Sequence, residues 1–161
     1  MAGQPTLSFL FRHPAHFIAL GFGAGLARVA PGTWGTLVAI PIALLLRATT
    51  GDAGFALTTL LLFVAGAWAA HVTGRELGAP DHGAIVIDEI AAFLLVLFFT
   101  GTDWPRMADA FVLFRVFDIV KPPPIRQLDA AMKNGLGVML DDLLAAGYAL
   151  LVFALGLRMF G

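Results

Sequence analysis

The chain of 161 residues contains no cysteine and a single tyrosine, and only 13% of its residues are Asp, Glu, Lys or Arg. Without cysteine there is no thiol nucleophile, no disulfide framework and no thiolate metal site. A formal net charge of -1 supplies neither a basic field for nucleic acid nor an acidic tail, so no nucleic-acid partner is expected. The chain also lacks a Walker-type GxxxxGK[ST] loop, a DxDxT phosphatase arrangement, internal repeats and low-complexity linkers. What it has in excess is apolar surface. The apolar fraction is 59%, against about half in ordinary soluble domains, which makes the bilayer the expected solvent. No shift in composition divides the chain, and one domain over residues 1–161 is expected.

Five apolar segments follow one another, at about 37–48, 55–71, 85–100, 107–120 and 143–160. Each is too long for a strand and lacks strict alternation, so all five read as helices. Turn signals separate them: TTGDAG at 49–54, GAPDHG at 78–83, TGTDWP at 100–105 and KPPP at 121–124. The triple proline stops the fourth helix near Lys121. The N-terminal stretch carries Arg12 and an apolar run from Phe17, but Pro14, His13 and His16 interrupt it. It reads as an interfacial helix lying on the membrane rather than as a signal peptide. The expected fold is all-α: a compact, membrane-associated bundle of about five apolar helices plus that interfacial helix.

The segments are shorter than the roughly 20 residues of a full crossing, so a spanning bundle competes with one only partly sunk in the bilayer. The nearly charge-free runs FALTTLLLFVAGAWAA and LLAAGYALLVFALGL favour spanning. If the second to fifth segments cross alternately, one side receives Arg12, Arg28, Arg75, Arg115, Lys121, Arg126 and Lys133, and the other only Arg47, Arg106 and Arg158. The positive-inside rule makes the first side cytoplasmic. The same side also collects Asp88, Glu89, Asp118, Asp129, Asp141 and Asp142, which orientation alone does not require. A polar site on that face accounts for both.

Asp88 and Glu89 open the run IVIDEIAAFLLVLFF. Two carboxylates at mid-membrane would cost about 2.5 to 3.5 kcal/mol each, nearly cancelling the roughly -3 to -6 kcal/mol that ten apolar residues contribute to insertion. The pair is tolerable at a helix end, near water or beside a cation. A helix dipole alone would favour two acids at a helix start. A second pair, Asp141 and Asp142, at the expected start of the fifth helix points instead to an oxygen-ligand site for a hard cation such as Mg²⁺. Arg115, Asp118 and Lys121 recur at spacings of three along the fourth helix, with Arg126 just beyond. Such cations pair with acids within a bundle and equally suit a phosphate. Thr33 and Thr36 in APGTWGT place hydroxyls at a loop leading into a helix, where backbone N–H groups approach anions. His82 in PDHG reads as a turn residue, and His13, His16 and His71 lack metal-ligand spacing.

GFGAGLARVAPGTWGTLVAIP, DHGAIVIDEI, FVLFRVFDIVKPPPIRQLD and NGLGVMLDD, in this order from Gly21 to Asp142, resemble the phosphatidylglycerophosphatase A family. Its members are bacterial enzymes that remove the terminal phosphate of phosphatidylglycerophosphate. The resemblance implies a Mg²⁺-dependent lipid phosphatase of the bacterial inner membrane, and the side assigned above places its site on the cytoplasmic face. By matching position, Asp88, Glu89, Asp141 and Asp142 are the expected metal ligands, with Asp118 close by. Arg115, Lys121 and Arg126 are expected to hold phosphate, and Thr33 and Thr36 to line the pocket. Phosphatidylglycerophosphate and the bilayer are the expected partners, and no feature calls for an obligate protein partner. Arg28 stands where the family usually has Pro, and KNGLG where it often has a His-Gly-Gly run. The different-class alternative is a small ion- or proton-coupled membrane transporter or assembly subunit using the same acids.

Overall fold

A computed structural model describes residues 3–160. Two short helices, α1 (Leu7–Leu10) and α2 (Pro14–Ala19), lead through a 3₁₀ turn at Gly21–Leu26 into the bundle. The bundle comprises α3 (Pro31–Thr49), α4 (Gly51–Leu77), α5 (Ile87–Thr100), α6 (Trp104–Val120), α7 (Ile125–Ala131) and α8 (Gly135–Phe160). There is no strand among the described residues. The all-α bundle expected from the sequence is therefore what forms.

Local chemistry sets the boundaries. His13 caps α2, its Nδ1 accepting from the Ala15 N–H at 3.0 Å, with Pro14 in the first position. Asp103 caps α6 by accepting from the Arg106 N–H at 3.3 Å. Lys121 ends α6 in the left-handed conformation, and the prolines that follow cannot extend the helix. Several boundaries differ from the sequence reading, α4 among them, which runs from Gly51 to Leu77. The third and eighth helices begin earlier than the apolar runs, at Pro31 and Gly135, because small residues there let neighbouring helices approach. The Asp141 and Asp142 pair accordingly lies about two turns inside α8 rather than at its start.

The centre of the bundle is α5. Its 14 residues reach only about 21 Å, too short to cross a bilayer unaided. It is sheathed by α3, α4, α6 and α8, which bury Ile87, Ile90, Phe93, Leu94 and Leu97 completely. A helix apolar on every side requires such a sheath. α3, α4 and α8 are long and apolar enough to cross a membrane, and α4 extends about 40 Å. Their outer faces carry exposed Leu45, Leu61 and Leu155, as a lipid-facing surface should.

The N-terminal segment is not one continuous interfacial helix. α2 docks on α4 through Ala15, His16 and Ala19, while Phe11, Phe17 and Phe22 stay exposed. His16 is wholly buried, its Nδ1 3.0 Å from the Thr73 hydroxyl and its Nε2 3.1 Å from a Glu76 carboxylate oxygen. At the far end of the bundle Arg47 pairs with Asp52, donates to the Phe98 carbonyl and lies over the Phe55 and Phe98 rings, closing the α3–α4 turn. The starts of α3, α5 and α8 and the end of α6 gather at the opposite end.

Candidate active site

Three acids meet where α5 crosses α8. One ligand oxygen from each of Asp88, Glu89 and Asp142 lies within 4.8 Å of the others. Asp88 and Glu89 occupy the first turn of α5, whose cap residue, Val86, offers no side-chain acceptor, so the acids answer the positive end of the helix. Asp142 reaches the same point from the middle of the buried face of α8. Asp88 Oδ1, Glu89 Oε2 and Asp142 Oδ2 are all buried and have no hydrogen-bond partner.

That arrangement is expensive for a protein alone. Two ionised carboxylates at such a separation repel by about 3 to 4 kcal/mol even at an effective dielectric constant near 20. Each orphaned oxygen adds a desolvation penalty that a partner would remove. Oxygen donors without imidazole or thiolate are the ligand set of a hard divalent cation. The residues present therefore fit Mg²⁺, which Asp88, Glu89 and Asp142 would hold.

Arg115 is the cation nearest the cluster. It pairs with Asp118 one turn along α6, approaches Glu89 Oε1 at 3.7 Å and donates to the Thr36 hydroxyl at 3.4 Å. Its Nε is buried and unpartnered, a free donor beside the acids. Thr36 is buried, and its own hydroxyl proton goes to the Gly32 carbonyl at 2.9 Å. Thr36 thus positions Arg115 from within α3 instead of lining an open loop. Thr33 stands in the first turn of the same helix, half-buried. The cap residue of α3, Ala30, provides no side-chain acceptor, which leaves that helix start suited to an anion.

Asp141 lies outside the three-acid cluster. It pairs with Lys121, which also lies 3.6 Å from Asp129. Burial works against the charge on Lys121, but the hydrogen bond to Asp141 and the carboxylate of Asp129 outweigh it and raise the ammonium above the usual lysine range. The network continues outward through Lys133, 2.8 Å from Asp129 and 3.7 Å from Asp81. The hydrogen bond from Lys133 holds the Asp129 carboxyl below its ordinary range. Arg126 is exposed on α7 and makes no ion pair among the described residues. His82 is a turn residue, its Nδ1 accepting from the Ala84 N–H at 3.1 Å.

Of the residues singled out in the sequence, the structure brings together Asp88, Glu89, Asp142, Arg115, Asp118 and Thr36, with Lys121 and Asp141 as an adjoining pair. Sequence reasoning missed Gly32. A Cβ there would lie 1.9 Å from Glu89 Oε1 and 3.2 Å from an Arg115 guanidinium nitrogen. Its only signal was its place in APGTWGT.

The sequence profile of the phosphatidylglycerophosphatase A family matches residues 17–157, a span that includes every one of these side chains. The chain belongs to the phosphatidylglycerophosphatase A family. It is therefore an enzyme, a phosphatase. A phosphatidylglycerophosphatase A of Haemophilus influenzae is 42% identical over 150 residues, covering 92% of each chain. That of Escherichia coli K12 is 39% identical over 134 residues, covering 83% of this chain and 77% of its own. A Bacteroides thetaiotaomicron protein, provisionally named a phosphatidylinositol-3-phosphatase, is 38% identical over 145 residues, covering 85% of this chain and 89% of its own. No solved structure matches the chain significantly.

Proposed function

We propose that this phosphatidylglycerophosphatase A family member hydrolyses the terminal phosphomonoester of phosphatidylglycerophosphate to phosphatidylglycerol and inorganic phosphate. The names of the Haemophilus and Escherichia relatives support the substrate. The observation that carries the chemistry is the trio of orphaned carboxylate oxygens on Asp88, Glu89 and Asp142. They are the holders of Mg²⁺ in this reading. When bound, the cation supplies charge stabilisation at the phosphoryl oxygens and lowers the pKa of an attacking water.

The protein's own groups do the rest. Arg115, fixed by Asp118, Glu89 and Thr36, offers its free Nε to a phosphoryl oxygen. Lys121, held by Asp141, keeps its positive charge and draws the dianionic headgroup inward. Arg126 and Thr33 extend this field at the rim. Water attacks phosphorus opposite the glycerol oxygen, forming one P–O bond as the other breaks. A carboxylate of the cluster takes the proton of the water and returns it to the departing alkoxide, which leaves as the alcohol. The chemistry does not require the lipid to leave the membrane.

Arg12, Arg28, Arg75, Lys121, Arg126 and Lys133 gather at the site end of the bundle, which supports a cytoplasmic-facing site in a bacterial inner membrane. The test is phosphate release from phosphatidylglycerophosphate in detergent micelles, with Mg²⁺ and with chelator. Release that appears with Mg²⁺ and stops with chelator supports the reading, and no release by folded protein overturns it.

A further inference from the structure

An apolar groove of about 380 Å³ runs along the bundle between α4, α5 and α8. Thr59 and Phe63 of α4, Ala91, Leu95 and Phe99 of α5 and Leu143 of α8 line it, with no charged side chain. The Thr59 hydroxyl donates to the Phe55 carbonyl of its own helix at 3.0 Å, so it presents no free donor to the groove. Exposed Leu60 and Phe99 mark a rim open sideways, toward lipid.

The position of the groove relative to the acids decides its occupant. Asp88, Ala91, Leu95 and Phe99 follow one another at spacings of three, four and four, so they form one stripe of α5. The groove begins one turn below the carboxylate of Asp88 and continues for about 12 Å along that stripe. On α8 its wall, Leu143, is the residue after Asp142. A phospholipid held by its phosphate at the three acids would have the near end of this slot within about one helical turn of its headgroup. The other apolar depressions lack this continuity. The one between α6 and α8 includes Arg106 and Asp109, and the one between α3 and α6 is smaller, at about 240 Å³.

We infer that the α4–α5–α8 groove is an acyl-chain subsite, holding one fatty-acyl chain of the phospholipid whose phosphate sits at Asp88, Glu89 and Asp142. This rests on the lipid-phosphatase reading above. It gives the enzyme a preference for long-chain diacyl substrates over short-chain or water-soluble phosphomonoesters, because chain burial anchors the headgroup at the acids.

Ala56→Trp fills the far end of the groove, and Ala108→Trp places the same bulk in the α3–α6 depression as a control. The readout is the ratio of kcat/KM for dipalmitoyl over dihexanoyl phosphatidylglycerophosphate. The ratio is expected to fall about tenfold or more in Ala56→Trp, since each methylene kept out of an apolar slot costs several-fold in affinity. Ala108→Trp is expected to keep the wild-type ratio. An Ala56→Trp ratio equal to wild type overturns the groove assignment, whereas no phosphate release from either lipid by the wild-type protein overturns the phosphatase reading itself. Photolabelling of the wild-type protein, independent of any variant, uses phosphatidylglycerophosphate with a mid-chain diazirine in phosphatidylcholine vesicles. Label concentrated on 59–63 and 95–99, and displaced by unlabelled phosphatidylglycerophosphate, is the expected result. The same label pattern from a diazirine phosphatidylcholine, with no displacement, overturns the inference.

Discussion

Gly32 and Glu89 approach so closely that a single methyl group on Gly32 would stand 1.9 Å from the Glu89 Oε1. The start of α3 is thereby pressed onto the start of α5, and Arg115 is caught between them. Gly32→Ala is expected to push Glu89 and Arg115 out of line. The expected loss in kcat/KM is about a hundredfold, the scale of a displaced catalytic contact, with the helical content by circular dichroism unchanged. Kinetics beside a circular dichroism spectrum check this, and wild-type turnover would show that the contact is immaterial.

The three clustered acids should weaken the metal-free protein while serving the loaded one. In chelator, Asp88→Asn or Asp142→Asn relieves a like-charge contact and is expected to raise stability by about 1 to 3 kcal/mol. The same variants are expected to lose the stabilisation that Mg²⁺ gives the wild-type protein by binding the folded state. Thermal melts of wild type and variants, with and without Mg²⁺, read both effects. Variants that melt lower in chelator, and respond to Mg²⁺ as wild type does, would oppose the account.

Lys121 and Asp141 form one unit next to the cluster. Asp141→Asn frees Lys121 from its closest partner and is expected to act mainly through KM, roughly tenfold. Lys121→Met is expected to do the same, and the double variant to cost little more than either single change. A double-mutant cycle on kcat/KM measures this coupling. Additive losses would mean that the two residues act separately.

His16 joins the N-terminal segment to α4 without touching the acids. His16→Ala leaves Thr73 buried without its partner and is expected to cost about 2 to 3 kcal/mol of stability. Proteolysis within residues 6–20 should accelerate while kcat stays near wild type. Intact protease resistance would show that other contacts hold the segment.

The acids of α5 were legible in the sequence because carboxylates inside an apolar run demand an explanation, and Asp142 was legible because it repeats the pattern. The separation of Asp141 from Asp142 was not. Adjacent helical residues point about 100° apart, and the facing side chain decides which of them enters the cluster. The early start of α8 was hidden because a glycine such as Gly135 suits the end of a turn as well as a close backbone approach. In the fold it marks a crossing, where a Cβ would lie 2.3 Å from the Ala67 carbonyl oxygen. His16 was opaque for the same reason: its partners lie 57 and 60 residues away, and no local spacing announces them. Helix number and apolar character come from short-range pattern, whereas pairing within the site comes from how the helices cross.

Asp88, Glu89 and Asp142, and not Asp141, are expected to hold the cation that hydrolysis needs. Phosphate release from phosphatidylglycerophosphate by purified Asp88→Asn, Glu89→Gln, Asp142→Asn and Asp141→Asn proteins across a Mg²⁺ titration measures this. Turnover is expected to fall by about a thousandfold in the first three at every Mg²⁺ concentration, and to persist in Asp141→Asn with unchanged Mg²⁺ dependence. Near-normal turnover in any of the first three, with the protein folded, would contradict the account.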